Sequence, residues 1–244
     1  TELLRAFSGK KVVVRVLDAG ADKPLSFLND AHEENPALGL RGIRALRASE
    51  HILRDQLTAL ANAQAASDAR LYVMAPMIAD VEETEYFVGL GRELGLEVVG
   101  AMAEVPSIAV LADQVLEVAD FVSIGTNDLT QYTLAADRQL GSVAALQDPW
   151  HPAVLRLIKM LGDAGARADK GVGVCGEAAA DPALAVVLVG LGVTSLSMSA
   201  SALADVRAEL LTVTLDEAKA RAERVLGARS AAEARQLAAA SLVD

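Results

Sequence analysis

The sequence alternates between short β-type runs and amphipathic helical patterns, and this alternation limits the possible folds more than any other feature. Runs of strand-forming residues predict six strands, at Val12–Val16, Leu71–Met74, Val98–Met102, Phe121–Ile124, Val172–Val174 and Ser195–Met198. Between them lie helical patterns, at Ile43–Ala66, Val81–Leu94, Ser107–Val118, Ala153–Ala168, Pro182–Leu191 and Ala202–Leu211. Such alternation requires parallel strands joined by right-handed crossovers. It predicts an α/β protein, either a closed barrel or an open doubly wound sheet.

Polar residues at the predicted strand ends distinguish these two architectures. A doubly wound sheet gathers ligand-binding groups at one switch point, whereas a (β/α)8 barrel collects them from nearly all strand carboxyl ends. Every predicted strand except the second ends in such groups, namely Arg15 and Asp18, Glu104, Asn127 and Asp128, Cys175 and Glu177, and Ser197 and Ser199. We therefore predict a (β/α)8 TIM-type barrel, present as about six βα units in a single domain over residues 1–244. Two Ala-rich helices are expected over Leu215–Leu242, the second beginning at Ser230.

Composition excludes several classes of function. The net charge is −11 with no basic cluster, which argues against nucleic acid as a partner. No run reaches the roughly 18 to 20 apolar residues that span a bilayer, and the N-terminal residues lack the apolar core of a signal peptide. We therefore expect a cytoplasmic protein. The single cysteine, Cys175, excludes an internal disulfide and a multi-cysteine metal site.

The most specific stretch is Asp120–Arg138, where an apolar strand leads into a Gly-Thr-Asn-Asp turn and a short helix. Backbone N–H groups at a helix start favour anions, and the Asp128 carboxylate can hold a hard cation. Arg138 can bind a phosphate or carboxylate through two hydrogen bonds. The alternative is ordinary helix capping, because Thr, Asn and Asp are all good N-cap residues. The fused pattern predicts a site for a metal and an anion.

Glu104 is the candidate second metal ligand. It follows the strand Val98–Ala103 and precedes Pro106, so its carboxylate is expected at the same rim as Asp128. Two carboxylates from neighbouring strands suit Mg²⁺ and leave positions open for a chelating substrate. A solvated glutamate at a strand end is the alternative.

Arginines are the candidate anion-binding groups. Arg15 lies in an otherwise apolar strand, where a buried guanidinium is costly unless an anion or a carboxylate pairs with it. The structural alternative is an ion pair with Asp18 or Asp22. Arg41 lies in a loop that enters a helix, as does Arg44.

One of these two loop arginines is expected to be surface charge. Arg44 and Arg47 share a helix face with Glu50, which is typical of helix surface pairing.

Cys175 directly follows a strand and has glycines on both sides of its segment, which allow close approach of a substrate to the backbone. Its place at the rim favours a proton donor or nucleophile, and a small buried apolar residue is the alternative. The three histidines, His32, His51 and His151, lie in polar loop or helix contexts. We expect none of them to be catalytic.

Together these segments resemble the C-terminal, phosphoenolpyruvate-binding domain of enzyme I of the phosphoenolpyruvate:sugar phosphotransferase system. Asp120–Arg138 looks like the signature of the wider phosphoenolpyruvate-utilising family. The further segments Val12–Pro24, Glu34–Arg44, Gly100–Pro106 and Val174–Asp181 point to enzyme I rather than to the dikinases. The resemblance covers the chain essentially from end to end.

The resemblance implies a Mg²⁺-dependent phosphotransferase that passes the phosphoryl group of phosphoenolpyruvate to a protein histidine and releases pyruvate, the first step of sugar uptake. It implies that Glu104 and Asp128 coordinate Mg²⁺ and that Cys175 protonates the enolate. The substrate's phosphoryl and carboxylate groups would be bound by Arg15, Arg41, Asn127, Arg138 and Lys23. A homodimer and a small phosphocarrier protein are the implied partners.

The number of strands leads to a further expectation. An eight-stranded barrel needs eight βα units, and the sequence predicts six. In terms of the resembled family, the first two strands and the N-terminal phosphohistidine domain would be absent, and that domain docks the phosphocarrier. We expect a fragment that is inactive in the full reaction by itself.

Two other functions remain open. The chain could be a catalytically incomplete dimerisation fragment, because an open barrel exposes strand edges near Val12 and Ser195. It could also be a Mg²⁺-dependent enolate lyase of similar barrel fold, which would share the Glu104 and Asp128 pair. The lyase would not account for the arginines or for the whole of Asp120–Arg138.

Overall fold

The computed structural model describes residues 1–20, 25, 27, 28 and 33–240. These residues form six strands, all at predicted positions: β1 (Lys11–Arg15), β2 (Arg70–Ala75), β3 (Val99–Ala103), β4 (Phe121–Gly125), β5 (Gly171–Cys175) and β6 (Ser195–Ser197). One sheet joins them in chain order, from β1 to β6. Because the order never reverses, the sheet lacks the switch point of a doubly wound fold. The predicted α/β architecture with barrel-type strand order is confirmed.

The described residues also form helices α1 (Glu2–Ala6), α2 (Ile43–Ala48), α3 (Glu50–Ala65), α4 (Val81–Glu93), α5 (Pro106–Val110), α6 (Ala112–Val118), α7 (Thr126–Leu134), α8 (Pro152–Ala168), α9 (Pro182–Gly190), α10 (Leu203–Leu210), α11 (Leu215–Leu226) and α12 (Ala231–Ala239). Two predicted helices are each divided. Ser49 separates α2 from α3, and Leu111 separates α5 from α6. The predicted start of the last helix is correct, since the Ser230 side chain accepts a hydrogen bond from the Glu233 N–H.

The chain divides into two compact units. The first comprises Thr1–Met102 with Glu117–Val122, and the second comprises Ala103–Leu116 with Ser123–Asp244. In the first unit β1 pairs in parallel with β2, from Lys11 opposite Arg70 to Arg15 opposite Met74.

The core of the first unit is made by apolar residues at helical and strand spacing. Leu53 and Leu57 lie four residues apart on α3, and both are fully buried with Val73 of β2 and Phe87 of α4. Gly100 of β3 allows a close approach in this unit, since a Cβ there would lie 2.4 Å from the Phe121 carbonyl oxygen. By contrast, β1 alternates between exposed and half-buried residues.

The second unit is built around α9, whose residues 184–188 are all buried. A helix that is apolar all round requires neighbours on every side, and α10 and α11 pack against it. The contact with α11 is close at Gly190, where a Cβ would lie 2.1 Å from the Ala218 carbonyl oxygen. In the second unit β5 pairs in parallel with β6. The predicted C-terminal helices are thus docked on the body of this unit.

Across the described ranges, none of the helices has both the length and the apolar character required to cross a membrane.

Candidate active site

The predicted site residues come from the carboxyl ends of four strands. Arg15 is the last residue of β1, and Cys175 is the last residue of β5. Glu104 directly follows β3, while Asn127 and Asp128 lie in the first turn of α7, which begins immediately after β4. Side chains at such strand ends carry the ligand-binding and catalytic groups of parallel α/β enzymes. The strand positions therefore agree with a functional role.

In the first unit Arg15, Asp18 and Arg41 form what we call the arginine cluster. The Asp18 carboxylate accepts hydrogen bonds from Arg41 Nη2 at 2.9 and 3.2 Å and from Arg41 Nε at 3.4 Å. Both side chains are buried, with 2% of Arg41 and 1% of Asp18 exposed. These hydrogen bonds offset the free-energy cost of burying a guanidinium and a carboxylate, which would each be costly to bury alone.

Arg15 differs from the buried guanidinium that its apolar strand suggested. Its side chain is 38% exposed, and Nη1 donates to Asp18 Oδ2 at 3.3 Å and to Met102 Sδ at 4.0 Å. The exposure arises because Arg15 ends β1, whose side chains are only partly covered. The predicted pairing with Asp18 is present, but Asp18 is bound mainly by Arg41, which lies 23 residues away.

The other basic residues of this segment have different partners from those expected. Arg44 donates to the carbonyl oxygens of Leu38 and Gly39, both at 3.4 Å. Arg47 pairs with Glu82 rather than with Glu50. The prediction that Arg44 and Arg47 pair with Glu50 on one helix face is therefore wrong, because α2 ends before Glu50. Lys23, Asp22 and His32, named in the sequence analysis, lie outside the described residues.

In the second unit we give the name carboxylate cluster to Asp128, Gln131 and Arg138, which contact one another, together with Glu104, which lies against the start of the same helix. Glu104 is only 1% exposed, so the alternative of a solvated strand-end glutamate is wrong. The absence of a side chain at Gly125 makes room for it. A Cβ at Gly125 would lie 2.6 Å from Glu104 Oε2 and 3.0 Å from Glu104 Cβ. The glycine in the turn after β4 therefore lets the Glu104 carboxylate lie directly against the beginning of α7.

The beginning of α7 tests the alternative that the Thr-Asn-Asp run only caps this helix. Its N-cap residue is Gly125, and no side chain caps the helix there. Thr126 Oγ1 instead donates to the Cys175 carbonyl oxygen at 3.2 Å. Asp128 is buried, with 6% exposed, in the first turn, where the backbone dipoles favour a carboxylate. Helix capping thus does not explain the Thr-Asn-Asp run.

Asp128 is linked to Arg138 in two ways. Arg138 Nη1 lies 3.9 Å from Asp128 Oδ2, and the Arg138 side chain is 33% exposed. Gln131 Nε2 donates to Asp128 Oδ1 at 3.4 Å, and Gln131 Oε1 accepts from the Arg138 backbone N–H at 2.8 Å. Ala135 ends α7 in the left-handed conformation, with φ of 50°, which turns the chain toward Arg138.

Cys175 is half-buried at the end of β5. Its Sγ lies 3.4 Å from the Ile124 carbonyl oxygen and 3.6 Å from Ser123 Oγ. Gly176 follows with φ of 105°, and a Cβ there would lie 2.8 Å from Thr126 Oγ1 and 3.3 Å from Asn127 Oδ1. Glycine is therefore required both for the backbone conformation and for the contact with α7.

A cavity of about 460 Å³ opens beside these residues in the second unit. Seven of its nine lining residues have polar or charged side chains, and the lining consists of Thr126, Asn127, Thr130, Arg138, Gln139, Ala144, Gln147, Pro149 and Glu177. The volume is in the range of small-molecule sites. Two predicted anion-binding residues, Asn127 and Arg138, thus face one cavity, and Glu177 adds a carboxylate to its wall.

The donor set restricts the metal that this site fits. In the described part of the chain, no three His, Cys, Asp or Glu side chains converge as a metal-binding group. Glu104 and Asp128 would thus provide two carboxylates, with no third protein ligand of these types among the described residues. Mg²⁺ is commonly held through one or two carboxylates, with waters and substrate phosphate in the other positions. Catalytic zinc sites usually have three protein ligands. The residues present fit Mg²⁺ completed by a substrate.

Two features of the site were missed from the sequence. Gln131 lies three residues after Asp128 on α7, a spacing that places both side chains on one helix face. The same spacing rule could have identified it. The Asp18–Arg41 pair had no such signal, because its partners are 23 residues apart and meet only through the tertiary fold.

Comparisons with known proteins give consistent results. A family model described as "PEP-utilising enzyme, PEP-binding domain" matches residues 1–215. A phosphoenolpyruvate-protein phosphotransferase of Streptomyces coelicolor is 54% identical over 242 residues, which cover 99% of this chain and 44% of that protein. The Bacillus subtilis protein of the same name is 42% identical over 236 residues, covering 92% of this chain and 41% of the relative. The chain spans less than half the length of these two relatives.

Among solved structures, an HpcH/HpaI aldolase from Desulfitobacterium hafniense aligns with a TM-score of 0.41 and 16% identity. The alignment covers 65% of this chain and 77% of the aldolase. A likeness this low carries no functional information.

Proposed function

Since this chain belongs to the PEP-binding-domain family of PEP-utilising enzymes, we propose that it is the phosphoenolpyruvate-binding part of a Mg²⁺-dependent phosphotransferase. The full reaction would pass the phosphoryl group to a protein histidine and release pyruvate. The observation that carries the proposal is the carboxylate cluster: two buried carboxylates follow neighbouring strands, and an arginine later in the chain lines the cavity.

Substrate binding is assigned to basic and amide side chains. Arg138 and Asn127 bind oxygens of the substrate in the cavity that they line. Arg15 and Arg41 bind its phosphoryl and carboxylate oxygens, with Lys23 as a further ligand from the resembled family. Arg15 suits this role because its guanidinium is partly exposed. In Arg41 the hydrogen bonds to Asp18 fix the plane of the guanidinium before substrate arrives.

Glu104 and Asp128 hold the metal. When bound, Mg²⁺ supplies positive charge that neutralises the substrate's phosphate and carboxylate oxygens. The protein's contribution is position, since both carboxylates are already buried after neighbouring strands before the ion binds. Phosphoryl transfer depends on such positioning and charge neutralisation more than on covalent help.

Cys175 supplies the proton that completes the reaction. Transfer of the phosphoryl group breaks the bond to the enol oxygen and leaves the enolate of pyruvate. The enolate methylene carbon takes the thiol proton to form the methyl group, and the thiolate then regains a proton from solvent. Cys175 is half-buried at the end of β5, and its Sγ lies 3.4 Å from the carbonyl oxygen of Ile124, two residues before α7 begins.

The proposal includes partners and location. It treats residues 1–244 as one phosphoenolpyruvate-binding domain, in agreement with a family match that runs through both compact units. The phosphohistidine domain and the phosphocarrier that it docks would lie outside this sequence, and the location is cytoplasmic. A homodimer is supported by exposed leucines near α10 and α11, at Leu203, Leu211 and Leu215. Light scattering that returned only a monomer would exclude this dimer.

A thermal-shift experiment tests the binding site. We expect phosphoenolpyruvate with Mg²⁺ to raise the melting temperature, because a ligand that binds only the folded state stabilises it. Glu104→Ala and Asp128→Ala should each abolish the rise. Asp113→Ala is the matched control, since Asp113 is an exposed carboxylate of the same unit and should leave the rise intact. An unchanged melting curve of the unaltered protein would reject the proposal.

The role of Cys175 can be measured without any phosphate acceptor. A group that donates a proton to the enolate carbon must remove one from the pyruvate methyl group in the reverse direction. With Mg²⁺ in deuterated water, the protein should accelerate exchange of the pyruvate methyl protons, followed by proton NMR. Cys175→Ala should lose this exchange and keep the thermal shift with phosphoenolpyruvate. Equal exchange in both proteins would remove Cys175 from the reaction.

A further inference from the structure

Gln131 links the proposed metal site to the proposed anion site, and nothing in the function above uses it. It lies in the second turn of α7, is 5% exposed, and uses both ends of its side-chain amide. We propose that Gln131 is a positioning residue that holds the Asp128 carboxylate and the Arg138 backbone in a fixed relation. This inference rests on the proposed function of Asp128 and Arg138.

The hydrogen-bond chemistry fixes the orientation of the amide. The Arg138 backbone N–H can only donate, so the side-chain oxygen of Gln131 must face it, at 2.8 Å. The amide nitrogen is then turned to Asp128, whose carboxylate can accept, at 3.4 Å. Both partners would be mismatched in the flipped orientation, so one amide orientation satisfies both contacts.

The two contacts of Gln131 couple the position of the Asp128 carboxylate to that of Arg138. Gln131 donates to Asp128 Oδ1, while the Arg138 guanidinium lies 3.9 Å from the other oxygen, Oδ2. A shift of the chain after α7 would therefore move the guanidinium and the amide together relative to the carboxylate. Outer groups that orient a metal-binding carboxylate commonly change metal affinity by 10- to 100-fold when they are removed.

The same segment contains a matched control. Gln147 also supports the chain after α7, through a hydrogen bond from its side-chain amide to the Ala136 carbonyl oxygen. It lines the cavity, as Arg138 does, but its amide bonds to the backbone at Ala136 and not, as that of Gln131 does, to the Asp128 carboxylate. If Gln131 only supported this segment, removal of either glutamine would have the same effect on the metal.

The experiment measures Mn²⁺ binding by electron paramagnetic resonance, because Mn²⁺ accepts the same oxygen ligands as Mg²⁺. We expect Gln131→Met to weaken Mn²⁺ binding about tenfold, by analogy with other outer-shell partners of metal ligands. It should also reduce the extent to which phosphoenolpyruvate tightens Mn²⁺ binding. Gln131→Asn, too short to span both partners, should do the same and decides the matter if the methionine variant does not fold.

The control separates the possible outcomes. Gln147→Met should leave the dissociation constant for Mn²⁺ unchanged in the absence of phosphoenolpyruvate. Equal Mn²⁺ affinity in the unaltered protein and the Gln131 variants, or an equal loss in the Gln147 variant, would overturn the role of Gln131 alone. If the unaltered protein bound no Mn²⁺ with or without phosphoenolpyruvate, the proposed function itself would fail, and the role of Gln131 with it.

Discussion

In the arginine cluster Asp18 accepts three hydrogen bonds from Arg41 at 2.9 to 3.4 Å, whereas in the carboxylate cluster the Arg138 guanidinium stays 3.9 Å from Asp128. Among its named members the first cluster has two guanidinium groups and one carboxylate, so their summed charge is positive. The named members of the second are two carboxylates, one guanidinium and a neutral amide, so their summed charge is negative. The two therefore suit ligands of opposite charge, an anion for the first and a cation for the second.

The clusters also differ in what their ion pairs contribute to stability. The Asp18–Arg41 pair is almost entirely buried, so each charge offsets the free-energy cost of burying the other. In the carboxylate cluster the guanidinium is partly exposed and distant, so water and ligands can compete for it. We infer that the first cluster is chiefly preorganised by its own pairing, whereas the second is completed by what it binds.

The largest expected effect tests the structural importance of the buried pair. Asp18→Ala would leave the Arg41 guanidinium buried without this partner, and removal of one member of a buried pair costs about 3–5 kcal/mol. Asp113→Ala is the comparison, because Asp113 and Arg167 form a two-pronged pair on the surface with a shortest distance of 2.7 Å, similar to that of the buried pair. Loss of this exposed pair should lower the free energy of unfolding by at most about 1 kcal/mol. Urea denaturation measures both. Similar losses in the two variants would show that burial does not distinguish the pairs.

An intermediate effect is expected at Gly125, where the absence of a side chain makes room for the Glu104 carboxylate. In Gly125→Ala the new methyl group would lie 2.6 Å from Glu104 Oε2, so the carboxylate must move. Mn²⁺ affinity should fall roughly 10- to 100-fold, as it does when the orientation of a metal ligand is disturbed.

The matched variant for this prediction is Gly89→Ala, in the middle of α4. A Cβ there meets nothing within 4 Å, so the helix should gain up to about 1 kcal/mol and Mn²⁺ affinity should not change. Isothermal titration with Mn²⁺ gives the affinities. If Gly125→Ala bound the ion as tightly as Gly89→Ala, the close contact with Glu104 would not matter for the metal.

The smallest expected effect concerns the ionisation of Tyr86, which belongs to neither cluster and serves as a reference for both. In the first unit, partial burial and a hydrogen bond donated to Glu50 raise the pKa of Tyr86 to about 12. The raised pKa means that the neutral phenol of Tyr86 stabilises the folded state. This contribution to the free energy of unfolding is fully present below about pH 10, the ordinary pKa, and is lost as the pH rises toward 12.

Ultraviolet titration measures the ionisation of Tyr86, with Tyr86→Phe as the blank. Glu50→Gln should lower the pKa of Tyr86, since the carboxylate that disfavours the phenolate is gone. Phosphoenolpyruvate and Mg²⁺ should leave it unchanged. A ligand-induced shift would indicate that the charges of the two clusters reach the surface of the first unit.

The strands could be predicted from sequence because each is a short apolar run with polar boundaries, a signal contained within the strand itself. The site residues could be placed for a related reason: Glu104 and Asp128 directly follow such runs, and parallel strands bring their carboxyl ends to one edge. Local pattern was therefore sufficient for the strands and for the residues at their ends.

Tertiary contacts were not available from local pattern. The helical period continues through Ser49 and Leu111, so the sequence predicted single helices where the structure has breaks. Arg15 was expected to be buried because its strand is apolar, but the coverage of β1 depends on neighbours far along the chain. Asp18 was linked to nearby residues, whereas its main partner, Arg41, is fixed by the path of the chain between them.

The glycine after Cys175 has an evolutionary consequence. The turn at Gly176 is packed against the side chains of Thr126 and Asn127 with no space for even a methyl group. A lineage could not remodel the end of β5 while leaving the start of α7 as it is, because each segment is shaped by the other. The residue that would donate the proton and the residue that would bind the phosphate are thus expected to be inherited together, as a single character.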